Sequence, residues 1–76
     1  MTDNRQSSNY LQVVVLHTIL MAKPQYKGRL FVIADSDGTV YLRGSVPYHR
    51  ERKVITELAR SVSGVTFVFC NCAAEA

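Results

Sequence analysis

Length, composition and charge restrict the chain to one small domain with an apolar surplus. It has 76 residues, of which 47% are hydrophobic and 20% are charged. A chain of this size buries only about 60% of the surface that its unfolded form exposes. We therefore expect part of its apolar surface to contact a second subunit, a membrane or another protein. The net charge of +3 favours anionic partners, but the nine basic residues are dispersed along the sequence.

The N-terminal part predicts a short tail followed by a helix. Residues 1–6 are polar and are expected to be disordered. Ser7 or Ser8 can cap a helix over residues 9–22. The helix is expected to end before Pro24, because the residue that precedes a proline is pushed out of the helical region. Apolar residues cover more than half of the circumference, which predicts a contact surface besides the one that faces the core.

Two strands joined by a tight turn follow. Residues 30–34 alternate so that apolar side chains lie on both faces of a strand. The Asp37-Gly38 pair suits the positive φ angles of a hairpin turn, and residues 39–46 continue as a second strand with apolar residues at every second position. Gly44 falls on the inward side of that strand, where the absence of a side chain lets a neighbouring element come close.

A second helix and a last strand complete the domain. Residues from about 47 to 63 form an amphipathic helix that Gly64 ends. Residues 65–72 alternate as a third strand, and the tail at 74–76 is expected to be frayed. The domain therefore spans residues 7–73.

This order of elements predicts an α+β fold, α-β-β-α-β, with two helices packed on one face of a three-stranded mixed sheet. Two helices can cover only one face, and the alternation of each strand decides which side chains lie on the other. We call this second surface the open face and predict it as the interaction surface. Its members are Phe31, Ile33, Tyr41, Arg43, Phe67 and Phe69.

No residue set predicts catalysis, a metal site or a cofactor. His17 and His49 lie in different helices, and the spacing Cys70-x-Cys72 is not the Cys-x-x-Cys spacing of zinc sites. We interpret both cysteines as small buried hydrophobic residues that stay thiols, with a redox or metal role as the alternative. The sequence contains no Ser-His-Asp order and no glycine-rich phosphate loop. We therefore expect a non-enzymatic protein without a small-molecule substrate.

The central and C-terminal parts resemble a known family. The residues that carry the resemblance are Gly38-Thr39-Val40-Tyr41-Leu42-Arg43-Gly44-Ser45-Val46, then Glu51, Leu58-Ala59, Val62 and Gly64-Val65, with Val68 three residues on. At this order and spacing, the set resembles the BON domain, the bacterial osmotically-induced and nodulation module, over roughly residues 11–72. The resemblance implies a helix-strand-strand-helix-strand fold and a non-enzymatic module that associates with phospholipid or another envelope component.

Three binding functions are open at this point. The first, from the resemblance, is peripheral binding to anionic phospholipid through the aromatic residues and Arg43. The second is a homodimer or protein adaptor that buries the open face, or the broad side of the first helix. The third and least favoured is the binding of single-stranded nucleic acid, with its bases stacked on Tyr41 and Phe67.

The sequence pattern and the family resemblance predict different cellular compartments. No run approaches the roughly 18 apolar residues of a membrane span, and the N-terminus lacks the pattern of a signal peptide, so the chain as written is expected in the cytoplasm. The family resemblance implies the periplasm or the cell envelope instead.

Overall fold

In a computed structural model that describes residues 4–75, two helices pack on one face of a three-stranded sheet. The elements are α1 (Asn4–Ala22), a short 3-10 helix (Pro24–Tyr26), β1 (Leu30–Ala34), β2 (Thr39–Val46), α2 (His49–Arg60) and β3 (Phe67–Ala74). The predicted α+β class and the order α-β-β-α-β are confirmed.

The strand order, which the sequence did not predict, places β2 in the centre. β1 pairs with β2 antiparallel through the hairpin, and β3 pairs with β2 parallel. A parallel pair cannot be joined by a tight turn, and α2 provides the crossover between its two strands. The sheet is therefore mixed, as predicted.

The first helix begins earlier than its predicted start at residue 9. Because α1 starts at Asn4, Ser7 and Ser8 lie within the helix and do not cap it. Of the predicted disordered tail, residues 4–6 are helical, and residues 1–3 lie outside the described residues. The polar residues at this end include Arg5 and Gln6, which are good helix formers, so polarity alone was a poor guide to where the helix begins.

The last strand extends into the predicted frayed tail. β3 runs through Ala74, and the N–H of Glu75 donates to the carbonyl oxygen of Val46 at 2.8 Å. Pairing with the full length of β2 therefore holds residues 74 and 75 in place, and residue 76 lies outside the described residues. α2 ends at Arg60, before the predicted end near residue 63, and the hydroxyl of Ser61 donates to the carbonyl oxygen of Leu58 at 2.6 Å in the turn that follows.

The core lies between the sheet and the helices, on the side that alternation predicts. Its buried residues come from every element, and the central strand contributes Val40, Leu42 and Val46, each at most 1% exposed. The other members are Val15, Ile19, Tyr26, Leu30, Val32, Ala34, Ile55, Ala59 and Cys72. The inward face of each strand is thus assigned correctly from the sequence.

Gly44 is a position where the backbone requires glycine. Its φ of 131° lies in a region that L side chains rarely adopt, and a Cβ there would collide with the carbonyl oxygen of Arg29. That oxygen accepts the N–H of Ser45 at 3.2 Å. The predicted close approach is therefore real, and the neighbour is the chain that enters β1.

Tyr26 is a core residue that the sequence did not reveal, because it lies in a connector without periodicity. Its side chain is 1% exposed, and its hydroxyl donates to Oε1 of Glu51 at 2.6 Å. The Nζ of Lys23 lies 3.5 Å from the same oxygen. Burial, followed by the hydrogen bond to Glu51, raises the pKa of Tyr26 well above its usual value of 10, and the same bond lowers the pKa of Glu51. This contact joins the segment after α1 to the start of α2.

Candidate interaction surface

The structure places all six predicted residues of the open face on one side of the sheet, opposite the helices. Four hydrophobic members are largely exposed: Phe31 at 58%, Ile33 at 44%, Phe67 at 53% and Phe69 at 49%. Tyr41 is half-buried and Arg43 is exposed. Their common orientation follows from the period of two along each strand.

The register of the three strands arranges these side chains in rows that cross the sheet. The middle row contains Ile33, Tyr41 and Phe69. On one side of it lies the row of Phe31, Arg43 and Asn71, and on the other side Thr39 pairs with Phe67.

The aromatic rings form a contiguous cluster. Tyr41 and Phe69 stack with centroids 5.4 Å apart and planes 7° apart, and Phe67 meets Phe69 edge to face at 4.6 Å. Such pairs contribute about 0.5–1.5 kcal/mol beyond the area that they bury. The rings thus support one another, while about half of the surface of each phenylalanine stays in solvent.

An acidic end borders this cluster at the hairpin turn. The hydroxyl of Tyr41 donates to Oδ2 of Asp35 at 3.2 Å, and this bond, with the charge of the carboxylate, raises the pKa of Tyr41. Next to it, Oδ1 of Asp37 accepts the N–H of Thr39 at 3.1 Å, and backbone hydrogen bonding at Thr39 lowers the pKa of Asp37. Both carboxylates therefore lie at the same end of the open face.

The opposite end is basic. Arg43 lies two positions beyond Tyr41 on β2, and Arg29 precedes β1 at the same end of the strands. Arg29 is itself near an acidic group, with its Nη1 4.0 Å from Oε2 of Glu75, so Arg43 dominates the charge at this end. The open face is consequently polarised along its strands.

Asp35 lies at the edge of this surface, although the sequence pattern predicted it as a turn residue only. A signal was present, because Asp35 follows Ile33 by two residues and so continues the outward side of β1. The hairpin bond from the N–H of Asp35 to the oxygen of Thr39 at 2.8 Å extends the pairing by one step and fixes that orientation.

A second exposed apolar surface runs along the outer side of α1. Tyr10, Val13 and Met21 are 73%, 65% and 72% exposed, and the exposed His17 lies between them. Their spacing follows the helical period. The broad apolar circumference predicted for this helix is thus present, on the side of the molecule away from the open face.

The remaining candidate residues form no reactive arrangement. Cys70 is half-buried and Cys72 is 3% exposed, and both are free thiols. Burial, then the neighbouring Cys70, raises the pKa of Cys72 to about 12, so the thiolate is strongly disfavoured at neutral pH. His17 and His49 are both exposed. Among residues 4–75, no three His, Cys, Asp or Glu side chains are grouped to hold a metal ion.

Comparison with known proteins adds no identification, since no family model and no curated protein matches the chain. Within the described part of the chain, neither helix combines the length and the apolar character needed to cross a membrane.

Proposed function

We propose that this chain is a non-enzymatic binding module whose working surface is the open face. The observation that carries the proposal is the ring cluster, in which Phe69 packs against both Tyr41 and Phe67 while the two phenylalanines stay about half exposed. With the half-exposed Phe31 and Ile33, these side chains offer on the order of 400 Å² of apolar surface. An apolar patch of that size is comparable to the largest patch on a typical monomer, which is often functional.

The distribution of the core supports the same proposal. Every fully buried side chain for which the structure describes burial lies on the helix side of the sheet, so the main core forms without the rings of the open face. Polar residues there would make the domain more soluble. The exposed phenylalanines are therefore better explained by a bound partner than by the stability of the isolated domain.

The resemblance to the BON domain supports an anionic phospholipid surface as the partner. Aromatic side chains are favoured at the boundary between headgroups and acyl chains, and a flat sheet face can present several of them at one depth. Arg43, exposed in the row beside Tyr41, would meet the headgroup phosphates.

Cosedimentation with vesicles tests this partner. We expect the protein to pellet with vesicles of phosphatidylglycerol and phosphatidylcholine at low salt, and to be released as salt is raised. Phe31→Glu should abolish pelleting, because it puts a carboxylate in the apolar patch. Val13→Glu, an equally charged change at an exposed residue of α1, is the matched control and should pellet normally. Absence of pelleting by the unchanged protein would count against the lipid partner.

A second partner, another copy of the chain, is favoured by a separate observation: the open face is acidic at one end and basic at the other. An anionic membrane would attract Arg43 but repel Asp35 and Asp37, whereas a second copy can satisfy both ends. Single-stranded nucleic acid ranks third, because the same two carboxylates lie next to the rings on which its bases would stack.

A further inference from the structure

We infer that the open face is occupied by a second copy of this chain, in an antiparallel face-to-face sandwich. The two-fold axis would lie between the sheets and cross the strands at the row of Ile33, Tyr41 and Phe69. This inference rests on the proposed function only in taking the open face as the working surface. It adds the identity of the partner and its orientation.

Charge selects the orientation. Rotation about an axis that crosses the strands turns the basic end of one copy onto the acidic end of the other. Arg43 would then lie over Thr39 of the second copy, one strand spacing from Asp35 and close to Asp37, whose carboxylate is bonded to the Thr39 N–H. Both copies make the same contact, as a two-fold interface requires.

The other face-to-face arrangement is disfavoured by the same residues. An axis parallel to the central strand would place Arg43 directly over Arg43 of the second copy. Two guanidinium groups would then be brought together in a partly desolvated interface, with both Asp35 carboxylates held away at the far end. Like charges placed opposite each other oppose association, so the polarised face excludes this register.

Apolar residues match in the middle row of the antiparallel arrangement, while the outer rows bring Phe31 over Asp35 and Phe67 over Asn71. The rotation places the middle row of one copy over the same row of the other, so the Tyr41–Phe69 stacks of the two copies pack against each other. Sheets that pack face to face keep their strands within about 30° of one another and about 10 Å apart, a spacing that aromatic side chains from both sides can fill.

The available area predicts a weak dimer. The hydrophobic residues of the open face supply on the order of 400 Å², about half of the roughly 800 Å² that each partner buries in a standard interface. Arg43, Asn71 and Thr39 lie in the adjoining rows and enlarge the contact. We therefore expect dissociation constants in the micromolar range, with faster dissociation at high salt.

Sedimentation velocity with a charge exchange tests the inference. From about 1 to 500 μM, the unchanged protein should shift from its 8.5 kDa monomer towards twice that mass. Arg43→Glu alone should prevent the shift, because glutamate would face Asp35 of the second copy. Asp35→Lys alone should prevent it in the same way, by placing lysine against Arg43. The double variant should restore part of it, since the exchanged residues 35 and 43 again carry opposite charges while Asp37 keeps its own. Circular dichroism on each variant separates lost association from lost folding.

The outcomes distinguish this inference from the proposed function. Restoration in the folded double variant supports the antiparallel dimer. Association that survives both single changes assigns the contact to another surface, such as the outer side of α1, and overturns the inference. A monomer at every concentration overturns it as well. If that monomer binds vesicles and Phe31→Glu abolishes this binding, the open face is still the binding surface and its ligand is lipid. A monomer that does not bind vesicles contradicts both.

Discussion

The two faces of the sheet are built from the same three strands and differ in what their side chains do. On β2, Leu42 is fully buried under the helices, and its neighbours Tyr41 and Arg43 face the other way into solvent. One face is fully packed under the helices, and the other leaves about half of each phenylalanine in solvent, where the rings contribute less to the fold. Alternation along one strand thus places the packed core on one face of a very small domain and the proposed binding surface on the other.

The largest expected effect comes from the covered face. Leu42→Ala should lower the free energy of unfolding by about 2–5 kcal/mol, because it leaves a cavity at a residue that is 0% exposed. A chain of this length has a total stability of only roughly 4–11 kcal/mol, so this change removes a large share of that stability. Urea denaturation measures the change, with Arg43→Ala as the adjacent control, expected within about 0.5 kcal/mol of the unchanged protein. Equal losses in the two variants would contradict the division between the faces.

That division could be predicted because it depends only on a local period. The residues of each strand alternate between apolar positions under the helices and positions on the open face, so a pattern of two assigns both sides at once. Gly44 could likewise be recognised from its place on the inward side.

The parts that escaped prediction depend on contacts between distant residues. The burial of Tyr26 results from packing between a connector and the start of α2, 25 residues away from its partner Glu51, and no local pattern carries that information. The start of α1 and the end of β3 were misplaced because polarity suggested loose termini. Strand order follows from the crossover through α2, which alternation does not determine.

A smaller effect is expected at the edge of the covered layer. Tyr26→Phe should cost about 1–2 kcal/mol at neutral pH, because it removes a hydrogen bond to the carboxylate of Glu51. The pKa of Tyr26 is raised on folding, so its contribution is complete below its unfolded pKa of 10 and is lost as the pH rises towards the folded value.

Urea midpoints between pH 8 and 11 measure this pH dependence. The unchanged protein should lose stability above about pH 10 more steeply than Tyr26→Phe does. Cys72 also has a raised pKa and weakens both proteins from about pH 9, so it does not affect the difference between them. Parallel curves would show that Tyr26 does not make this contribution.

The smallest effect concerns reactivity on the covered face. Iodoacetamide at pH 8 should label Cys70 faster than Cys72, because Cys72 is 3% exposed and burial raises its pKa to about 12. Mass spectrometry of peptides over a time course measures both rates, and labelling in urea should make them equal. Rapid modification of both thiols in the native protein would contradict their position under the helices.

The central claim is that the open face serves binding and is dispensable for folding, and Tyr41→Glu tests it most directly. Stability and self-association should be measured on this variant together, with Val13→Glu on the outer side of α1 as its control. We predict that Tyr41→Glu lowers the free energy of unfolding by about 1–2 kcal/mol, less than Leu42→Ala does, because it removes the stack on Phe69 and the hydrogen bond to Asp35. It should still fold and weaken association at least tenfold, whereas Val13→Glu changes neither property. A Tyr41→Glu protein that folds and associates like the unchanged chain would show that function lies on another surface.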